Sequence, residues 1–592
     1  MTHPTLFTTT TLASPNSIRR SPLPRAFVLI PVVLACFVLS QIARAADGDL
    51  GNGNTAEGAN ALASVNGGFN NTAVGNAALF NNTSGGSNTA TGSGALTTNK
   101  TGFSNTADGF AALSSNTGSF NTATGSLALN SNTTASDNTA VGYQALKSNT
   151  TGPFNTAVGE SALISNTSGD RNTAIGDGAM VASTTGFQNT AVGVSALRNN
   201  TTGAENVAVG QDACNNNQDA TGNTGVGYQA LLNNSADDNT ALGFQALLNN
   251  TTGTDNMASG FAALSSNTMG RDNTANGAFA LLENTTGSGN TATGDDALER
   301  NTTGNSNTAS GVSTLEFNTT GFDNTATGSA ALFSNTTGDN NTAHGVNALV
   351  HNTVGSSNTA SGFDALFHNT NGSSNVALGA GAGVNLTSGN NNIALGASAG
   401  ANLTTGSNNI DIGNAGVAGE AAKIRIGKQG TQNGTFIAGI FGVTMTGSPV
   451  VVSSSGKLGI SGTSSIRFKE AVKPMDKASE ALLALKPVTF RYKQQIDPDG
   501  VPQFGLIAEE VEKVNPDLVI RDDEGKIMSV RYEAVNAMLL NEFLKEHSKV
   551  QTLEATTEQL KEQVEVLTAG LQKVNDQLAL TKSTPRIVAN NQ

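Results

Sequence analysis

The sequence predicts a mainly β chain: a parallel β-roll, or β-solenoid, of 17-residue coils, followed by a small α+β domain that ends in a coiled coil. Three observations predict it. The pattern Asn-Thr-Ala-x-Gly-x-x-Ala-Leu-x-x-Asn-Thr-Thr-Gly returns every 17 residues, with two steps of 16, from Asn54 to Asn409, giving 22 copies. Hydrophobic residues make up 37% and charged residues 13% of the chain, below the roughly 45–50% and about 25% of ordinary globular domains; Pro is too scarce for simple disorder. Finally, apolar residues alternate three and four apart over the last part of the chain, the signature of a heptad seam.

Charge divides the chain. Residues 1–46 carry four Lys/Arg and no acid, residues 47–463 carry 10 basic against 25 acidic side chains, and residues 464–592 carry 17 against 20. No basic stripe is present to release counterions from phosphate, so no nucleic-acid partner is expected. The shift in balance marks a domain boundary near residue 460.

Residues 1–45 read as an export signal: Arg19, Arg20 and Arg25, the apolar run from Ala26 to Leu39, then Ala43-Arg44-Ala45, with cleavage expected after Ala45. The run is shorter than the ~20 residues of a comfortable membrane span, so no stable span is expected once the signal is removed. An uncleaved anchor and a lipidated Cys36 are the alternatives. After cleavage Cys214 is the remaining cysteine and no disulfide can form within the chain.

Residues 46–420 form the repeat. With the first Asn as position 1, position 5 is Gly in every copy and position 3 is Ala except at Gly225 and Asp411, while position 4 varies freely (Glu57, Val74, Asp108, His344). That alternation predicts a short strand with positions 3 and 5 inward and position 4 outward. Position 9 is Leu in 17 of the first 19 copies, with Met180 and Cys214 in the others. Cys214 is thus expected to be a buried small hydrophobe, and His344 and Asp108 to be solvated. The Asn-Thr-Thr-Gly stretch supplies turns, Gly and Asn tolerating positive φ; its match to a glycosylation acceptor follows from the recurrence of the turn. A coil this short suits two short strands and two turns. One Leu and a little Ala per coil make a thin core, so three chains around an axis are expected. No calcium-binding repeat and no His/Asp/Glu/Cys constellation appears, so neither a metal nor a cofactor is expected.

Residues 421–463 read as a β-rich connector, with short strands at 424–427, 435–439 and 450–452 separated by Gly. Residues 464–545 carry four blocks: Ser464-Ser465-Ile466-Arg467-Phe468-Lys469, the stretch 482–493, Phe504-Gly505-Leu506-Ile507-Ala508-Glu509-Glu510-Val511, and Val530-Arg531-Tyr532-Glu533-Ala534-Val535. Residues 546–582 are the coiled coil, with Val550, Leu553, Thr557, Leu560, Val564, Leu567, Leu571, Val574 and Leu578 on the seam. Residues 583–592 are expected to be a disordered tail.

The repeat resembles the head repeats of trimeric autotransporter adhesins, most clearly at Asn375-Val376-Ala377-Leu378-Gly379, Asn392-Ile393-Ala394-Leu395-Gly396 and Asn409-Ile410-Asp411-Ile412-Gly413. The resemblance implies a left-handed, trimeric roll. That family's membrane barrel is not expected after the coiled coil.

The four blocks, in that order before a coiled coil, resemble the endosialidase-type intramolecular chaperone of phage tail spikes, a self-cleaving serine peptidase. Its motif, Ser-Asp-x-Arg-x-Lys, implies Ser464 as nucleophile, Lys469 as base, Arg467 as the motif Arg, and a single cut in cis between Thr463 and Ser464. Ser465 stands where the motif has Asp, a departure that bears on cleavage rate. Independently of the family, a Lys base must be desolvated, because an exposed ammonium with pKa near ~10.4 stays protonated at neutral pH. Five residues apart, the pair lies about 140° around a helix and on opposite faces of a strand. Only a bend brings the two together.

The function expected is an exported, homotrimeric surface fibre, an adhesin with an unknown surface or host ligand, assembled by a chaperone that then cuts itself off. The alternatives are a prophage tail fibre or spike for host recognition, and the same fibre with an uncleaved trimerisation clamp.

Overall fold

A computed structural model describes residues 48–437, 450–453, 455–460, 465–522 and 524–581. The chain divides between Thr435 and Phe436 into two units. The export signal, with Cys36, and the tail 583–592 lie outside the described residues.

The first unit is a parallel β-solenoid. Each copy contributes one three-residue strand, from Thr55–Glu57 to Ile410–Ile412, and consecutive strands pair in parallel with the same positions opposite one another, as in Thr72↔Thr89, Ala73↔Ala90 and Val74↔Thr91. At about 4.8 Å per coil the 22 copies stack to about 100 Å. Both 16-residue steps lose their residue from the turn between the position-12 Asn and the following small residue, at Asn116–Gly118 and Asn234–Ala236. The ladder therefore keeps register through Thr106↔Thr122 and Thr224↔Thr240. It also runs past residue 420: Ile424–Ile426 pairs with Ile410–Ile412 as a further coil.

A second strand per coil is expected from the sequence and is not what forms. On that side the position-9 residue lies in the left-handed region, with φ between 47° and 55° from Leu62 through Met180 and Cys214 to Leu366. Such a φ breaks an extended strand and is unusual for a bulky side chain. It still leaves the amide aimed along the stack, where Leu79 N–H donates to Ala95 O at 2.9 Å and Leu96 N–H to Ala112 O at 3.0 Å. The cost of the left-handed residue, of order 1–3 kcal/mol, is offset by this bond and by burial of the Leu side chain.

Inside the coil the Ala of positions 3 and 8 and the Leu of position 9 are fully buried. Position 5 departs from expectation. Its Gly does not line the core: a Cβ on Gly58 would sit 2.8 Å from the carbonyl of Gly75, one coil on, and its φ is 120°. The ladder of glycines is a close approach of backbone to backbone.

The interior also holds what the turn reading missed. The Asn side chains of positions 1 and 12 are buried and form two ladders. Asn71 N–H and Nδ2 both donate to Asn54 Oδ1 at 2.9 Å, and Nδ2 donates to Gly85 O at 2.9 Å. At position 12, Asn149 Nδ2 donates to Asn132 Oδ1 at 2.8 Å and to Gly152 O at 3.0 Å. Buried amides of this kind satisfy one another coil after coil, and they leave the Asn-Thr-Thr acceptor nitrogens inaccessible to a glycan. The position-13 Thr hydroxyls form a third ladder on the surface, as in Thr133 Oγ1 to Thr150 O at 2.9 Å.

Deviations from the repeat compensate one another. Cys214 is buried in place of Leu, and the Ala due opposite it is Gly225, whose added Cβ would meet Cys214 Sγ at 2.6 Å. Near the end, Gly383 and Gly400 replace the position-9 Leu while Leu386 and Leu403 replace the position-12 Asn. Both leucines are buried, so the coil refills its core from three residues further along.

Among the described residues the second unit has three antiparallel pairs: Val450–Val452 with Leu458–Ile460, Val488–Phe490 with Gln503–Gly505, and Val519–Arg521 with Ile527–Val530. Residues 435–437, expected at the start of a strand, lie in none. A short helix Ala508–Val514 and a 50-residue helix Tyr532–Thr581 complete it. Its core is small, built on Val511, Leu518, Val519, Val530 and Met538.

Candidate functional site

Residues 465–469 carry the described part of the predicted site. Ser465, extended at φ −64° and ψ 137°, precedes a single 3-10 turn Ile466–Phe468. Phe468 N–H donates to Ser465 O and Lys469 N–H to Ile466 O, both at 3.0 Å. The chain therefore turns between Ser465 and Lys469. Arg467 folds its guanidinium over the Phe468 ring, 4.5 Å from the centroid, a cation–π contact on the surface. Thr463 and Ser464 lie outside the described residues. Ser465, Arg467 and Lys469 are all exposed, so among the described residues nothing covers the lysine.

The bend leads within a few exposed residues to Met475, which is half buried against the small core, and to the 3-10 helix Asp476–Ala484. That helix lies against the long helix through Ser479, whose side chain is fully buried and hydrogen-bonded to Glu542, 63 residues on. No local signal in the sequence connects these residues. Strand Val488–Phe490, from the second block, pairs with Gln503–Gly505 from the third. Leu506 N–H donates to Tyr532 Oη at 2.9 Å, which ties the third block to the fourth. The second, third and fourth blocks thus converge on one small fold.

The long helix is two-faced. Met538 is buried on its inner side, whereas the seam residues Val550, Leu553, Leu560, Val564, Leu567, Leu571, Val574 and Leu578 are all exposed in the single chain. Apolar residues repeating at heptad spacing without a partner are the arrangement that coiled-coil association covers.

In the solenoid, His344 and Asp108 are exposed as expected. Cys214 is buried, which pushes its thiol up to about 12, so it is inert as a nucleophile. Asp411 is the exceptional titratable group. It replaces the core Ala of the last full copy, is fully buried, and neither carboxylate oxygen has a hydrogen-bond partner. Burial pushes it up to about 6, with the Glu420 charge adding to the rise and Arg425 opposing it. The Arg425 guanidinium is engaged with Glu420, donating Nε to Oε1 at 2.8 Å and NH2 to Oε2 at 2.6 Å. Among the described residues no helix is long and apolar enough to cross a membrane.

Residues 464–520 match the family described as chaperone of endosialidase. No curated protein and no solved structure matches the chain. The chain therefore joins a long β-solenoid to a C-terminal endosialidase-type chaperone region, an organisation that fits a tail-fibre- or spike-like protein.

Proposed function

We propose that this chain is an exported, homotrimeric surface fibre whose C-terminal chaperone orders assembly and then cuts the chain once between Thr463 and Ser464. The observation that carries the reading is the position of the family match, which begins at residue 464, directly after the solenoid and connector. The exposed heptad seam of the long helix and the thin core of the second unit support self-association, since a surface of this kind is stable only when covered. The strand faces near the end of the solenoid add to this, with Ile393, Leu395, Ile424 and Ile426 exposed on one sheet.

The chemistry follows from the residues. Lys469, neutral when desolvated, takes the proton of Ser464 Oγ as that oxygen attacks the carbonyl carbon of Thr463. The C–N bond breaks, the amine of Ser464 takes a proton, and the Thr463 acyl group is left as an ester on Oγ. Water then hydrolyses the ester, leaving a carboxylate at Thr463 and a free N-terminal Ser464. Because Lys469 is exposed in one chain, its desolvation comes from a neighbouring copy, and cleavage waits for the trimer.

Protein expressed from Ala46, beside Ser464→Ala and Lys469→Ala, tests the reading by intact mass. Release of a fragment starting at Ser464, abolished by both substitutions, is the expected result. An uncut chain in all three leaves a fibre with a trimerisation clamp. A second reading, a phage-type tail fibre for host recognition, is favoured by the family itself; retention of residues 1–45 in the mature protein selects it, whereas their removal selects the exported adhesin, whose ligand lies among the variable outward positions.

A further inference from the structure

The chaperone region contains a polar node, built on the buried Ser479 and half-buried partners, that the cleavage chemistry does not use. Ser479 Oγ donates to Glu542 Oε1 at 2.6 Å and accepts from Asn541 Nδ2 at 2.6 Å and from Lys545 Nζ at 3.3 Å. Lys545 Nζ also donates to Glu542 Oε1 at 2.6 Å, and Asn541 Nδ2 to Asp476 O at 3.3 Å. Lys545 and Ser479 are both bonded to the same carboxylate oxygen, Glu542 Oε1. The node is a lock between two elements.

Its place in the heptad gives the lock a consequence. Reading the seam back from Val550 gives Glu546, Phe543 and Leu539, all exposed, with Glu546 a charged rung paired to Lys549. Asn541, Glu542 and Lys545 fall on the flank and back of the same helix. The 3-10 helix Asp476–Ala484 is therefore held on the side that trimerisation leaves free. From Lys469 to Met475 the chain has six residues, a tether of at most about 20 Å, so whatever fixes this 3-10 helix limits where Lys469 can reach.

We propose that Ser479, through Glu542, is a positioning residue that ties the 3-10 helix to the long helix and so sets where Lys469 can reach for self-cleavage. The proposal rests on the reading that the chain is cut before Ser464. A half-buried, charge-assisted network is directional, which makes it a better lever than apolar contact alone.

The test follows the cleaved fraction over time by intact mass and the trimer fraction by native mass, on protein expressed from Ala46. Ser479→Ala and Glu542→Gln are expected to slow release at least tenfold with the trimer fraction unchanged, while Ser479→Thr, which keeps the hydroxyl, releases at close to the wild-type rate. Met538→Ala removes packing from the same helix without touching the node; it is expected to lower thermal stability and leave the release rate within about twofold. Wild-type release in Ser479→Ala, an equal slowing in Met538→Ala, or loss of the trimer in Ser479→Ala would each overturn the proposal. An uncut wild type removes the cleavage reading itself, and this proposal with it.

Discussion

Asp411 takes the place of a buried alanine and gains no hydrogen bond for its charge. Its folded-state value of about 6 lies above its ordinary 3.8, so the folded chain holds the proton more tightly than the unfolded one. Stability from this group is therefore highest at low pH, falls as pH rises from about 4 to about 6, and is fully lost above that window. Asp411→Ala should stabilise the chain by about 1–2 kcal/mol more at pH 7.5 than at pH 4, measured by thermal unfolding at both. That is roughly half of what a two-unit shift carries, because the neighbouring Arg425 side chain is 38% exposed and admits solvent. Comparing variants matters, since the Arg425 hydrogen bond holds Glu420 below its ordinary range and gives the opposite pH slope. The position-12 ladder supplies a second case. Ser183 interrupts it, and both Ser183 Oγ and Asn166 Oδ1 are left buried without partners. Ser183→Asn should restore both rungs and stabilise by about 1–2 kcal/mol, seen as a higher denaturant midpoint; a lower midpoint would mean the site cannot hold an amide. These ladders were not legible as core. Asn beside Thr and Gly has the local signature of a turn, and its burial depends on the coil 17 residues away.

A strand of three residues carries little stability alone; here it is one rung among many, and its glycine decides whether rungs can approach. Gly142→Ala should cost about 3 kcal/mol or more, because the new Cβ would press on the carbonyl of Gly159 at a φ of 138°. Thr91→Val, on the exposed side of its strand, should stay within about 0.5 kcal/mol. Chemical denaturation of the two variants side by side tests that contrast, and equal losses would contradict the close-approach account. In the long helix, Leu560→Asp puts a charge on the seam; it should abolish trimers in native mass spectra and, with them, cleavage before Ser464. Period, strand position and heptad were readable from the sequence because each is a local spacing that backbone geometry turns into a face. The second strand was not. A left-handed Leu is stabilised by an amide bond to the neighbouring coil, which no short window contains.

A stack in which each coil touches only its neighbours can start folding anywhere and mispair anywhere. Parallel pairing over 22 coils is slow to form and leaves open edges meanwhile, so a clamp that sets register first has a physical purpose. On the proposed reading, in which the clamp is cut away, the fibre should be held by its unfolding barrier. Cleaved trimer that has been unfolded should therefore fail to refold, whereas the uncut Ser464→Ala chain should recover trimers on dilution, followed by native mass; recovery of the cleaved chain would remove the need for a chaperone. The architecture of this protein was legible without coordinates: a repeat so regular admits few backbone geometries, and the blocks after residue 464 stand in a recognisable order. What depended on the folded chain was everything joined across coils or across tens of residues: the asparagine ladders, the cysteine matched by a glycine, the leucines moved three places, the lone Asp411, and Ser479 against Glu542. Period and propensity are properties of neighbours in sequence, whereas burial and hydrogen-bond satisfaction are properties of neighbours in space.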